Sequence, residues 1–528
     1  MNALAEVSPL ERAYEQAREI FEHIAAYLDS EEASSMTHSD LERELEKRGR
    51  ELMRIMLQEH LDKRGPGHCE RPVSGSDGNE RSRLRLQERK LETVFGTVSV
   101  ERAGYGKKGV ESLHPLDAEL NLPDERYSLE LRRRVAEEAA KGSFDETFES
   151  IGKMTGGHVP KRQIEELVMR AAVDFDAFYQ MRQGQPAGGE QSEPACPGTA
   201  DRSIMVMSVD GKGVVMRTQD LREQTRKAAM KRKHKMGARL SKGEKKNAKR
   251  MATVAAVYTI EPFVRKPEDL VSENNSVRVE QPRPRPEEKR VWASLEKTPE
   301  EVIEKAFQEA GCRDPGHHKN WVALVDGNKY QIRILRRMAK DKKLDLTIIV
   351  DIIHVIEYLW DAGRAFYPKA GEELESWVRV RLVEILRGKA GYVAGGMRRS
   401  ATLRTLGSAD REPVDICANY LLTYAPYLKY NHYLAQGFPI ATGVIEGACR
   451  HLVKDRMEVT GARWSLNGAE AVLRLRALRS SHDFDQYWTF HEAQEYERNH
   501  RALYDGGIAP TTLKPRPTRK RAHLKAVK

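Results

Sequence analysis

Cysteine is scarce in this chain and builds no framework. Its five residues, Cys69, Cys196, Cys312, Cys417 and Cys449, are an odd number with no C-x-x-C spacing. That pattern argues against a disulfide scaffold and a zinc knuckle, and reduced thiols are expected. Long apolar runs are lacking too. Charged residues make up 32% of the sequence, and no stretch approaches the roughly 18 uninterrupted apolar residues of a membrane span, so no membrane partner is expected. The opening Met1-Asn-Ala-Leu-Ala-Glu6 has no basic region followed by an apolar core, so a cytoplasmic, nucleoid-associated location is expected rather than secretion.

What is abundant is positive charge. The 89 Lys and Arg against 79 Asp and Glu give a formal net charge of +10, and the excess is clustered, as between Arg222 and Arg250, which points to a polyanionic partner. A length of 528 residues predicts about three to four domains.

The stretch Ser203-Ile-Met-Val-Met-Ser-Val-Asp-Gly-Lys-Gly213 organises the rest. Its apolar residues occupy both alternating faces, the pattern of a strand buried on both sides. Asp210 arrives where that run stops, and Gly211 and Gly213 predict a sharp turn after it, with a short second strand over 212–217. Asp-Gly is also the commonest hairpin signal. The repetition changes the reading: Trp321-Val-Ala-Leu-Val-Asp-Gly327 and Leu346-Thr-Ile-Ile-Val-Asp351 are further apolar runs ending in aspartate. Three strands that each deliver an Asp at the carboxyl end make a candidate site.

In chain order, residues 1–64 read as a helical hairpin, with Leu41, Leu45, Leu52 and Met56 on one face. Residues 80–182 read as a β-hairpin turning at Gly96, followed by a helix-turn-helix. Arg83, Arg85, Arg89, Lys90 and Arg102 would make the hairpin a DNA-contacting ribbon, although charged outer faces are also ordinary. Ser143-Phe-Asp-Glu146 predicts a capping box, and Pro160 a first helical position. Lys161 and Arg162 then fall on the turn such modules present to the major groove, although an ordinary helical hairpin fits the same pattern equally well. Residues 183–202 are a proline- and glycine-bearing linker.

Residues 203–481 read as a β-β-β-α-β-α-β-α domain, the order of a ribonuclease-H-like fold. A helical insertion spans about 365–440, with Trp377, Val380, Leu382, Ile385 and Leu386 in its core. Residues 482–528 form a C-terminal helix and a basic tail. The fold class is multidomain α+β: a ribonuclease-H-like α/β catalytic domain with a helical insertion, preceded by a helical and β-hairpin DNA-binding region.

Phosphodiester chemistry uses two hard cations held by carboxylate oxygens, Mg2+ with Mn2+ as a substitute. The expected catalytic and metal-holding residues are Asp210, Asp326 and Glu446, because in this topology the strand ending at Asp326 lies beside the first strand. Asp351, one strand further out, is the alternative second ligand. The competing structural roles are a turn for Asp326 and a helix-surface acid paired with Arg450 for Glu446.

The combination Val209-Asp210-Gly211, Val325-Asp326-Gly327, Asp351-Ile-Ile-His354 and Gly443-Val-Ile-Glu446-x-x-Cys449-Arg450, followed by Thr460-Gly-Ala-Arg463-Trp464, resembles a DDE transposase of a bacterial insertion sequence. The type it resembles is ISKra, within the Mutator-like group, and the similarity covers about Leu91 to Ser481. The resemblance implies that Asp210, Asp326 and Glu446 bind two divalent ions. It implies that Asp351 and His354 form a supporting Asp-x-x-His motif, and that a helical domain lies between the second Asp and the Glu. Arg450, Arg456 and Arg463 would then face phosphates, and Trp464 would stack on an unpaired base, although an aromatic there is more often core. For His354 the competing role is a helix-capping histidine.

The expected function is therefore a transposase that binds the terminal inverted repeats of its element and carries out metal-dependent strand cleavage and strand transfer. Its partners would be transposon-end and target DNA and at least a second copy of the chain. The alternatives are a structure-selective nuclease on the same fold and a DNA-binding regulator with an inactive catalytic domain.

Overall fold

The computed structural model describes residues 14–70, 72–184, 203–231, 248–271, 282–459 and 461–513. Most of the expected linker (185–202), the middle of the basic stretch (232–247), Thr460 and the basic tail (514–528) lie outside the described residues. The chain is mixed α+β and folds as two units, one from Met1–Asp174 with Asp485–Lys528 and the other from Phe175–Phe484. No helix among the described residues is long and apolar enough to cross a membrane.

The second unit is built on a five-stranded mixed sheet. Its strands are β1 (Ile204–Val215), β2 (Lys249–Ile260), β3 (Glu287–Ser294), β4 (Asn320–Val325) and β5 (Leu346–Val350), in the spatial order β5-β4-β1-β2-β3. β1 pairs antiparallel with β2, and β2 with β3, whereas β1 and β4, and β4 and β5, run parallel. The double-sided apolar pattern has the meaning expected of it: Ile204, Met205, Val206 and Met207 are all fully buried. Helix Pro299–Arg313, capped by the Thr298 and Glu301 box, lies against β1 and β2. Helices Lys329–Asp341 and Ile352–Phe366 follow the two parallel strands.

Two strand readings are corrected. Asp210 and Gly211 do not turn the chain; β1 runs unbroken to Val215 because β2 is equally long and pairs it throughout, Asp210 with Val254 and Gly211 with Thr253. The predicted strand over 212–217 is the second half of β1. The sheet's third member is instead β3, which sequence periodicity did not pick out. It begins Glu287-Glu288-Lys289, a solvated run typical of an edge strand, and only its second half is apolar and buried.

Between β5 and Gly443 the chain is helical: Ile352–Phe366, Glu372–Leu386, Ala390–Leu403, Ser408–Tyr424 and Tyr430–Ala435. Trp377, Ile385 and Leu386 are buried as expected, but Val380 is 59% exposed and Val378 takes the inward place. The helix expected over 443–457 is interrupted. An α-turn, Gly443–Ala448, passes into a π-helical turn, Cys449–Lys454, before Asp455–Met457. The wider turn breaks the 3.6-residue period, so Val453 points inward while Glu446 and Arg450 face solvent, and the three do not share a face.

In the first unit, helix His38–Arg64 packs Leu57 and Leu61, rather than the exposed Met56, against a cluster of Leu91, Val98, Val100, Leu116 and Leu122. The hairpin is longer than its apolar alternation suggests: Arg83–Thr93 pairs with Gly96–Lys107, and Val110–Leu113 adds a third strand. Two of its arginines are structural. Arg89 donates to the carbonyls of Pro123 and Glu125, and Arg102 pairs with Asp117, while Arg83 and Arg85 stay exposed.

Helices Phe144–Met154 and Lys161–Ala171 carry the helix-turn-helix pattern, with the Ser143 and Glu146 capping box present. Pro160 is the residue before the first turn, in extended geometry, rather than its first member. Asp174 ties the C-terminal helix Phe484–Asn499 back to this unit through His491 (2.7 Å) and Arg498 (2.6 Å). Fully buried Arg132 pairs with Glu125 and Glu495.

The turn between these helices is docked on the hairpin tip: Gly156 N–H donates to the Val94 carbonyl at 2.9 Å, and a Cβ on Gly156 would overlap the Phe95 carbonyl oxygen. Gly156→Ala is therefore expected to destabilise the first unit by about 1–3 kcal/mol through overpacking, measured by chemical denaturation. An unchanged unfolding midpoint would show the turn to be loosely held.

Candidate active site

Register builds the site. Val209 of β1 is level with Val325 of β4, and Val325 is level with Val350 of β5. The next residue on each strand is an aspartate, so Asp210, Asp326 and Asp351 leave one sheet edge at one level, with Asp326 in the middle. The ladder continues one step past β5, where Asp351 N–H donates to the Val325 carbonyl at 2.9 Å.

The three carboxylates then take different surroundings. Asp351 is fully buried, and both its oxygens are engaged. Oδ1 accepts the Ile353 N–H at 2.9 Å, capping helix Ile352–Phe366, and Oδ2 accepts the Thr442 hydroxyl. It is a satisfied structural group. Asp326 is half-buried, with Oδ1 accepting the Asn328 N–H at 2.9 Å. Its carboxyl is held above the usual carboxylate range, first by burial and then by the charge of Asp210, while the Asn328 amide and His354 act in the opposite sense. No Lys or Arg among the described residues forms an ion pair with Asp210 or Asp326.

Asp210 is also half-buried. Its Oδ1 accepts the Gly211 N–H, and its Oδ2 accepts the Cys449 thiol at 3.1 Å. Burial and the nearby Asp210 charge push that thiol's pKa up, so it stays protonated.

Glu446 reaches the same edge from helix Gly443–Ala448, which packs on β1 and β2. It is exposed, with Oε1 3.4 Å from the Thr442 hydroxyl that also serves Asp351. Arg450 does not pair with it; Arg450 Nε lies 4.0 Å from Asp455. Among the described residues no three His, Cys, Asp or Glu side chains form a group able to hold a metal ion together. Asp210 and Asp326 are the neighbouring pair, and Glu446 stands on the solvent side.

His354 sits on the first turn after Asp351, with Nδ1 3.0 Å from Glu357, and close enough to act on Asp326. Arg463 is exposed. Two expected nucleic-acid contacts are corrected. Arg456 is 3% exposed, with its guanidinium 4.8 Å from the centre of the Trp464 ring. Trp464 is 6% exposed and its Nε1 donates to the Met457 carbonyl at 3.2 Å. Its backbone also pairs with the end of β1, donating to Val215 at 3.1 Å and accepting from Arg217 at 2.8 Å. Both side chains belong to the core, because the chain leaving the π-turn closes on β1 there. In the first unit, Lys161 and Arg162 are exposed and pair with Asp145 (2.5 Å) and Glu166 (3.5 Å). Such surface pairs are worth little and exchange readily.

Sequence reasoning gave no role to Thr442 or to three tyrosines that hold the strand ends. Tyr420 donates to the Asp326 carbonyl at 3.4 Å, Tyr424 to the Gly327 carbonyl, and Tyr430 to the Val350 carbonyl at 2.7 Å. Gly327 has φ +95°, a left-handed conformation that keeps this turn for glycine. The available signal was the Tyr420-x-x-x-Tyr424 spacing, which puts both rings on one helix face. A scan against protein-family models finds no match, and neither does a search of the curated proteins.

The raised Asp326 carboxyl has a stability consequence. Between its unfolded and folded pKa the native state binds more protons, so the charge destabilises the fold as pH rises through that window. In metal-free buffer Asp326→Asn is expected to melt above the parent at pH 8, the gap closing as pH falls towards the ordinary carboxylate pKa. Calorimetry at both pH values tests this, and a variant less stable than the parent at pH 8 would contradict it.

Proposed function

We propose that this chain is a DNA transposase of the DDE type, with Asp210, Asp326 and Glu446 as its acidic triad on a ribonuclease-H-like domain. The observation that carries the reading is the in-register pair Asp210 and Asp326, adjacent, partly desolvated and without a basic partner among the described residues, with the Glu446 helix lying on the same sheet. The strand order β5-β4-β1-β2-β3, with only the outer strands beyond β1 on one side running parallel, supports the domain assignment. So does a run of helices between Asp351 and Glu446.

The donor set fits hard divalent cations: carboxylate oxygens, without a Lys or Arg ion pair among the described residues, at the mouth of a sheet. Asp210, Asp326 and Glu446 would hold two such ions, Mg2+ or Mn2+, which when bound supply activation of the attacking oxygen and stabilisation of the leaving one. The reading requires Glu446 to turn from its solvent-facing position towards the Asp pair on loading. Asp351 supports from behind by fixing the helix that carries His354 beside Asp326. Arg450 and Arg463, both exposed, would meet phosphates.

The reaction would proceed by attack of water on the phosphodiester at the transposon end, freeing a 3′ hydroxyl that then attacks target DNA in line. No covalent protein intermediate is needed. Lys161 and Arg162 on the recognition helix, with exposed Arg83 and Arg85 on the hairpin, would hold the inverted repeats. Holding two ends calls for at least a dimer on DNA.

Asp210→Ala is expected to lower end cleavage and strand transfer by on the order of 10²–10³ while leaving DNA binding intact, because the charge and not the grip is removed. Labelled end DNA with Mg2+ or Mn2+ measures both steps. Full activity in the variant would leave a regulator with no use for the site, and cleavage without joining in the parent would leave a nuclease. Separately, Lys161→Ala with Arg162→Ala is expected to weaken binding of end DNA and reduce the slope of log affinity against log salt by about 1 for each phosphate no longer neutralised. An unchanged slope would remove that helix from the interface.

A further inference from the structure

We propose that Cys449 is a positioning residue of this site: its thiol, donating to Oδ2 of Asp210, orients that carboxylate and couples it to the helix that carries Glu446. The inference rests on the function proposed above, in which Asp210 and Glu446 share a cation site.

Asp210 stands where β1 has lost one neighbour. β4 pairs with β1 only as far as Val209, whereas β2 continues past it. The carboxylate therefore projects at an edge where packing on one side has ended, and its rotamer has to be set by hydrogen bonds. There are two. Oδ1 accepts the N–H of Gly211, and Oδ2 accepts the Cys449 thiol at 3.1 Å. An ionised carboxylate has about four acceptor sites, so one bond to each oxygen fixes its plane and still leaves a lone pair on each for a cation. Hydrogen bonds to a ligating carboxylate commonly play this part.

The position of the thiol is specific. Cys449 follows Glu446 by three residues and opens the π-helical turn Cys449–Lys454. It is buried, as are Leu452 and Val453, whereas Glu446 faces solvent. The turn thus buries the thiol against β1 and leaves Glu446 free at the rim. A single side-chain bond links the strand carrying one acid to the helix carrying another, although the two acids are far apart in sequence.

A packing role and a hydrogen-bonding role make opposite forecasts. Cys449→Val fills the site without a donor; Cys449→Ser restores a donor in a smaller side chain. The full-length chain is titrated with Mn2+ alone, the free ion being read by electron paramagnetic resonance, and each variant is melted without metal. The expected result is that Cys449→Val weakens Mn2+ binding by about 10- to 100-fold and Cys449→Ser stays near the parent. In the melts, combining Cys449→Val with Asp210→Asn should shift the midpoint by less than the sum of the single shifts, since both remove the same bond. Equal Mn2+ affinity in Cys449→Val and the parent, or equal weakening by Val and Ser, overturns the inference. Asp210→Ala separates the two levels: if it binds Mn2+ as the parent does, or the parent binds none, the proposed function itself fails. If it loses Mn2+ while Cys449→Val does not, only the role of Cys449 falls.

Discussion

Parallel register is the constraint on which this site depends. β4 lies between β1 and β5, and the levels Val209, Val325 and Val350 put the residue after each strand in one row. A slip of one residue would send the side chains of a whole strand to the opposite face. Here both faces are core, so composition does not set the register by polarity alone. Shape does: Trp321 at the start of β4 stacks near Phe307 and donates its indole N–H to Asp314 at 2.8 Å, which anchors the strand at the end away from the acids. A residue fixed by a ring and a buried carboxylate at one end thereby sets where an aspartate emerges at the other.

The row then has to tolerate its own charge. Adjacent carboxylates in a partly desolvated edge repel, and each can be relieved by hydrogen bonds, protonation or a cation. Asp351 takes the first route completely, through the Ile353 amide and Thr442. Asp326 takes it only in part, through the Asn328 amide, and its carboxyl shifts upward. Sequence alone left Asp326 and Asp351 as alternatives because both end an apolar run. What distinguishes them is the next residue: Gly327 turns the chain, whereas Ile352 starts a helix that uses Asp351 as its cap.

Where local pattern decides structure, the sequence was readable. The buried strands, the capping box at Ser143, and the two helices on either side of Gly156 follow from spacing and cap chemistry. It was misread where a long-range partner overrides a local signal. Gly211 and Gly213 suggest a turn, yet β2 pairs straight through them. β3 carries too much charge to look like a strand, and it is one because β2 offers an edge. Arg456 and Trp464 look like a cation and an aromatic awaiting DNA, but they lie against each other in the core. Burial of an Arg over an indole is invisible until the chain's return to β1 is known. The unit boundary was similarly hidden: Phe178 and Tyr179 look like the end of the preceding helices, but Arg290 of β3 lies 3.3 Å from the Tyr179 ring centre, so they belong to the second unit.

The third acid poses the remaining physical problem, because a long helical segment separates it from the other two. The cost of closing so large a loop grows only slowly with its length, but accuracy at the closing point has to come from specific bonds. Tyr420, Tyr424 and Tyr430 hold the insertion to the carbonyls around Asp326 and Val350, and Ile352 N–H donates to the Ile440 carbonyl at 3.0 Å just before Thr442. These bonds fix the backbone of the Glu446 helix without bringing its carboxylate to the Asp pair. A third negative charge beside Asp210 and Asp326 would add to the repulsion that already displaces the Asp326 carboxyl. Under the proposed function the fold therefore aligns two acids by register and brings the third on a helix that packs on the same sheet, its backbone fixed by these bonds and its side chain exposed.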